Sequence, residues 1–165
     1  VRIATDASSD TVFKGSMCFV AGNGDYRLRT RETKASTDEL ELEALTLALK
    51  YLLKVGARKA VIESDSVAAL EAVEQIVHKR GSKASRPGRT WRGVSSGARS
   101  RFQQAWGDIQ GQCEVDIRRV LGHAGDPLNR AADQIAYMGL RAIAHPMKQS
   151  RETLREGIQK ALLAL

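Results

Sequence analysis

The feature that most constrains this chain is a change of hydrophobic period near residue 37. Before it, Val1 to Asp6, Val12 to Val20 and Tyr26 to Arg31 alternate in the manner of β-strands. Ser8-Ser9-Asp10 separates the first run from the second, and Gly22-Asn23-Gly24-Asp25 separates the second from the third. Asn-Gly between two alternating runs is a strong hairpin signal, so the three strands are expected in hairpin succession. From Thr37 to about Val55 the apolar residues Leu40, Leu45, Leu49, Leu52 and Leu53 recur at helical spacing, and Gly56 ends the run.

The rest of the chain alternates between the two periods. Ala60 to Ser64 reads as a short strand, Ser66 to about Val77 as a helix, Ser96 to Gln110 as a helix and Cys113 to Leu121 as a strand. A turn at Gly122 to Gly125 precedes Asp126-Pro127, an N-cap and first-turn proline for a helix to about Ala144. Pro146 closes it, and Arg151 to Leu165 is amphipathic, with Leu154, Ile158, Ala161, Leu162 and Leu165 on one stripe expected to pack back on the domain. The order predicts an α/β fold, a mixed sheet whose faces are covered by helices. One domain is expected over 1-145, with a helical extension over 146-165.

Composition narrows the class. The chain has 165 residues, enough for one buried core, and no apolar run long enough for a membrane span. The N-terminus lacks a secretion pattern, and a cytoplasmic location is expected. Val1 opens the chain inside a strand without Met, which fits a removed initiator or a longer parent chain. Cys18 and Cys113 are too few for a disulfide scaffold and read as buried thiols.

Charge supplies the first functional clue. Lys and Arg number 26 against 19 Asp and Glu, a net charge of +7. Residues 78–101 hold eight of the cations and none of the acids, interrupted by Gly81, Pro87, Gly88, Gly93 and Gly97. This reads as a basic projection on a nearly neutral body, an asymmetry that favours nucleic acid over diffuse attraction to a membrane. Lys79, Arg80, Lys83, Arg86, Arg89 and Arg92 are its candidate phosphate contacts, with Trp91 placed to stack on a base or cover the core.

Several acids are out of place. Glu41 shares a helix face with Ala44, Leu45, Ala48 and Leu52, so a carboxylate heads the apolar stripe. Glu43, in line with Thr46 and Lys50, and Glu39 read as solvated instead. Asp6 ends the first strand run, and Asp65 follows the strand Ala60 to Ser64, where open sheets with parallel strands form their sites. Asp133 lies two turns inside its helix and is not the cap, while His123 sits in the turn before that helix. Taken singly, each has an ordinary structural role as a cap, a turn residue, a helix-terminus anion or a loop histidine. Together they form a hard-oxygen set with one imidazole, suited to Mg²⁺ or Mn²⁺ and not to zinc.

Four segments carry a family resemblance: Thr5-Asp6-Ala7-Ser8, Glu41 to Leu49, Ser64-Asp65-Ser66, and Gly122-His123-Ala124-Gly125-Asp126-Pro127-Leu128-Asn129-Arg130-Ala131-Ala132-Asp133. In this order they resemble the motifs of type 1 ribonuclease H, the last being the most specific. The resemblance covers about Val1 to Ala144. It implies a ribonuclease H-like fold, a five-stranded mixed sheet with three antiparallel strands and then two parallel ones, and the final helix as an addition. It further implies that Asp6, Glu41, Asp65 and Asp133 bind two Mg²⁺ ions, with Mn²⁺ as a substitute and Asp6 bridging, and that His123 assists proton movement or product release. The implied activity is cleavage of the RNA strand of an RNA–DNA hybrid by a monomer, leaving 5′-phosphate and 3′-hydroxyl ends.

The sequence departs from the family's pattern at Ala7, where Gly is usual, at Ser9-Asp10-Thr11, which replaces a Gly/Pro-rich turn, and at Ser36-Thr37-Asp38, where Asn is usual. These positions touch substrate grip more than metal chemistry. Two other readings stand beside this one: a non-catalytic nucleic-acid-binding domain of the same fold, and a DNA-directed nuclease such as a junction resolvase or transposase core. Intact acids at all four positions argue against the first, and the His-Ala-Gly turn against the second. The family's sheet order would set Cys18 and Cys113 about three strand spacings apart, roughly 14 Å, beyond disulfide reach.

Overall fold

The structure is a computed structural model that describes residues 1–78, 93–122, 125–146 and 150–165. Three strands, β1 (Arg2–Ser9), β2 (Lys14–Ala21) and β3 (Tyr26–Glu32), lead into helix α1 (Thr37–Lys54). Strand β4 (Lys59–Ser64), helices α2 (Val67–Val77) and α3 (Ser96–Ile109), strand β5 (Glu114–Arg119), and helices α4 (Pro127–Ala144) and α5 (Arg151–Leu162) follow. The sheet order is β3-β2-β1-β4-β5, antiparallel for β1 with β2 and β2 with β3, parallel for β1 with β4 and β4 with β5. This is the mixed five-stranded sheet that the periodicity and the family resemblance both lead to.

Both faces of the sheet are covered, and the strand pleat divides the core accordingly. Ile3, Met17 and Phe19 join Leu42, Leu45, Leu49 and Phe102 in the layer under α1, α2 and α3. Ala4, Cys18 and Val20 face the other way, onto Leu128, Ala132 and Ile135 of α4 and Ile158 of α5. That explains why β2 is buried almost along its whole length, whereas the edge strands β3 and β5 are charged and largely exposed. Helix α4 lies close on the sheet because residue 139 is glycine: a Cβ there would come within 2.7 Å of Leu28 Cδ1. Ser16 Oγ also donates to the Ala136 carbonyl, tying β2 to the same helix.

The cysteines are free and buried, Cys18 in β2 and Cys113 just before β5, three strand positions apart and in opposite core layers. Among the described residues no helix is long and apolar enough to cross a membrane. Helix α5 packs on α4 through Ile158 and Ala161 and ends at Leu162, short of the expected Leu165.

Several readings of single residues change in the fold. Strand β1 runs to Ser9, so Asp6 lies inside it and not at its end. The cap before α2 is Ser66, whose hydroxyl accepts from the Ala69 N–H, so Asp65 is released from that role. The expected basic projection over 78–101 is shorter at its far end: Val94 and Ala98 are buried, Ser95 caps α3, and Arg101 donates to Glu43. Most of the segment, 79–92, lies outside the described residues. Glu43 itself is buried, accepting from Arg31 at 2.8 Å and Arg101 at 2.6 Å, and Glu39 accepts from the Ser95 hydroxyl at 2.6 Å. The cause is shared: α1 lies between the sheet and α3, so both of its sides are covered.

Candidate active site

The register of the parallel strands brings two of the acids together. The β1–β4 pairing ends at Ala4 with Glu63, and Asp6 and Asp65 each stand two residues farther along. They therefore face one another where β1 and β4 part, with β1 paired antiparallel on its other side, Asp6 opposite Cys18. Crevices at the carboxyl ends of strands, where the topology changes, are the usual binding places of open sheets.

Glu41 enters from the first turns of α1, whose start is fixed by Ser36 accepting from the Glu39 N–H. Its carboxylate accepts from the Ala7 N–H at 3.1 Å, while the same N–H donates to Asp6 Oδ1 at 2.8 Å. One oxygen each from Asp6, Glu41 and Asp65 lies within 4.8 Å of the others. Glu41 is 4% exposed, and its Oε2 is buried with no hydrogen-bond partner among the described residues.

Electrostatics match that geometry. Burial raises the Asp6 carboxyl to about 7, with the Asp65 and Asp133 charges adding to the shift. Burial pushes Glu41 up as well, reinforced by Asp6 beside it. Close carboxylates cannot all stay ionised without a countercharge. A divalent cation fits: three hard oxygen donors converge, and one of them carries an orphaned buried oxygen. Asp6, Glu41 and Asp65 are the residues that would hold it.

Asp133 is not part of that close trio. It projects from α4, exposed, into a cavity of about 130 Å³ whose wall also includes Asp6 and Asp65 of the trio together with Asp126, Asn129 and Arg130. Asn129 and Arg130 were missed in the sequence, although they precede Asp133 by four and three residues and so share its helix face. Asp126 caps α4 through the Leu128 and Asn129 N–H groups. The Arg2 guanidinium beside it holds its carboxyl below the ordinary value and also donates to Glu63, so the start of β1 is latched to the start of α4. Gly122 passes so close that a Cβ there would meet Asp65 Oδ2 at 2.8 Å. His123 and the basic candidates Lys79, Arg80, Lys83, Arg86, Arg89, Trp91 and Arg92 lie outside the described residues.

A five-stranded sheet of this order, with carboxylates gathered where β1 and β4 part, defines the ribonuclease H-like class. The comparisons carry the assignment further: the RNase H family model matches residues 1–141, and the chain belongs to that family. It is 30% identical over 121 residues to the Ribonuclease H of Maricaulis maris (strain MCS10), an alignment covering 68% of this chain and 72% of that protein. Membership supports a nuclease of the hydrolase class. The family match stops within α4, before α5 begins.

Proposed function

We propose that this protein is an endoribonuclease that hydrolyses the RNA strand of RNA–DNA hybrids with two divalent ions, Mg²⁺ or Mn²⁺, leaving 5′-phosphate and 3′-hydroxyl ends. The observation that carries the reading is the Asp6–Glu41–Asp65 cluster, with its orphaned buried oxygen, in a chain of the RNase H family. Ions bound there would supply a water made nucleophilic at neutral pH and neutralise charge on the leaving oxygen.

The chain's own residues have separate tasks. Asp6, held against Glu41 by the Ala7 N–H and close to Asp65, would be one of the residues that hold the ions. Asp133 supplies a carboxylate from the opposite wall, and Arg130 on the same wall offers a positive group toward a phosphate. Gly122 lets its loop lie against Asp65, fixing that carboxylate sterically. His123, next in the chain, moves a proton or helps the product leave. Lys79, Arg80, Lys83, Arg86, Arg89 and Arg92 grip the hybrid through phosphate contacts that make affinity salt-dependent, with Trp91 stacking on a base or covering the core. The protein acts as a cytoplasmic monomer, with residues 1-145 as the catalytic domain and 146-165 as a helical extension.

The test is incubation of labelled RNA–DNA hybrid, duplex RNA, duplex DNA and a four-way junction with Mg²⁺, using native protein and Asp65→Asn. Hybrid is cut by the native protein and spared by the variant. Native protein that leaves the hybrid intact defeats the proposal, and junction cutting in its place would favour a DNA-directed nuclease.

A further inference from the structure

One group of cations borders the β3 edge of the sheet, two strands away from the strand that carries Asp6. Arg27 and Arg29 of β3 pair in register with Phe19 and Met17 of β2, so their side chains leave on the α1 side. There they meet Lys50 and Lys54 from the last turns of α1, and the four cations line one groove of about 410 Å³. All four are exposed, and none makes an ion pair among the described residues. The acid in that groove, Asp25, is already engaged, accepting from the Tyr51 hydroxyl at 2.6 Å and from Asn23 Nδ2 at 3.1 Å.

The patch continues around the edge strand. On the opposite side of β3 a groove of about 470 Å³ carries Arg151 and Arg155 of α5 and shares Tyr26 and Arg27 with the first. Glu152 and Glu156 of α5 are absent from its lining. Six cations thus border an exposed edge strand with one engaged carboxylate among them. Exposed like charges lining shared grooves repel one another, so the arrangement is relieved by a polyanion.

We infer that the cationic groove between β3 and α1 is a second binding site for the phosphate backbone of nucleic acid, extending the footprint of the hybrid beyond the carboxylate cluster. This rests on the proposed hybrid substrate. Along α1, Lys50 and Lys54 stand about 14 and 20 Å from Glu41 at the helical rise, within one duplex turn of roughly 34 Å. The two ends of one helix then serve one ligand: its start at the scissile bond, its end at phosphates farther along.

The experiment is fluorescence anisotropy of a labelled RNA–DNA hybrid of about 20 base pairs in EDTA at several salt concentrations. Native protein is compared with Lys50→Ala/Lys54→Ala and with the variant that adds Arg27→Ala and Arg29→Ala; alanine at exposed helix positions 50 and 54 preserves the fold, and melting checks it. The slope of log affinity against log salt should fall in magnitude by about 2 for the double variant and by roughly 3 to 4 for the quadruple. Unchanged slopes overturn the inference, as does loss of poly-glutamate binding with hybrid binding intact, which would mark a protein-docking surface. Native protein that binds hybrid through these residues yet never cuts it refutes the catalytic reading alone; native cleavage with unmoved slopes refutes the groove alone.

Discussion

The Ala7 N–H donates to both Asp6 and Glu41, at 2.8 and 3.1 Å, so one backbone group of β1 holds a strand carboxylate and a helix carboxylate against each other. This stores repulsion in the folded protein. Both acids have values raised above the ordinary carboxyl range by burial, Asp6 to about 7. The folded state therefore holds more protons than the unfolded one between about pH 4 and 7, and without metal its stability falls as pH rises through that window. Asp6→Asn should lessen that fall, leaving the part that burial of Glu41 contributes, and raise metal-free stability at pH 7 by about 1–3 kcal/mol, while abolishing cleavage. Melting curves in EDTA at pH 5 and pH 7.5 decide it: an equal decline in the native protein and the variant would contradict the repulsion.

Adding a divalent ion should reverse the effect. At a Mg²⁺ or Mn²⁺ concentration tenfold above the dissociation constant, binding to the folded state alone stabilises by about 1.4 kcal/mol. Native protein should melt higher with the ion than in EDTA, and Asp65→Asn should show little of this gain. Equal gains would place the ion elsewhere.

Gly122→Ala tests the close approach of residue 122 to Asp65. A Cβ at 2.8 Å from Asp65 Oδ2 forces that carboxylate aside, and a displacement near 1 Å at a reacting site costs about 10²-fold in rate. The expected result is a kcat/KM loss of that order with the melting temperature within a few degrees of native. Native-like kinetics would mean that Asp65 tolerates the shift.

Glu43→Gln separates a structural acid from the metal cluster. Glu43 accepts from Arg31 and Arg101 and joins β3, α1 and α3. Removing its charge should destabilise by about 1–2 kcal/mol, with specific activity nearly native below the melting transition. Urea unfolding and the hybrid assay read the two effects separately, and a collapse of activity in fully folded protein would place Glu43 in the catalytic machinery.

By itself the sequence determined the local structure. The change of period, the Asn23-Gly24 hairpin signal and the Asp126-Pro127 start are readable because strand alternation, turns and caps depend on neighbours within a few residues. Glu41 stood out for the same reason, a carboxylate heading an apolar stripe. Tertiary structure alone decided which distant groups meet. The parallel register sets Asp6 level with Asp65, and packing of α3 on α1 turned Glu43 from a solvated acid into a buried partner of two arginines. Charge followed the same division. Counted along the chain, the positive residues collect in 78–101 and leave the body nearly neutral. Folding then sorts that body, bringing Arg27 and Arg29 beside Lys50 and Lys54. Periodicity records which side of an element is apolar, but long-range register and helix packing determine which side chains become neighbours.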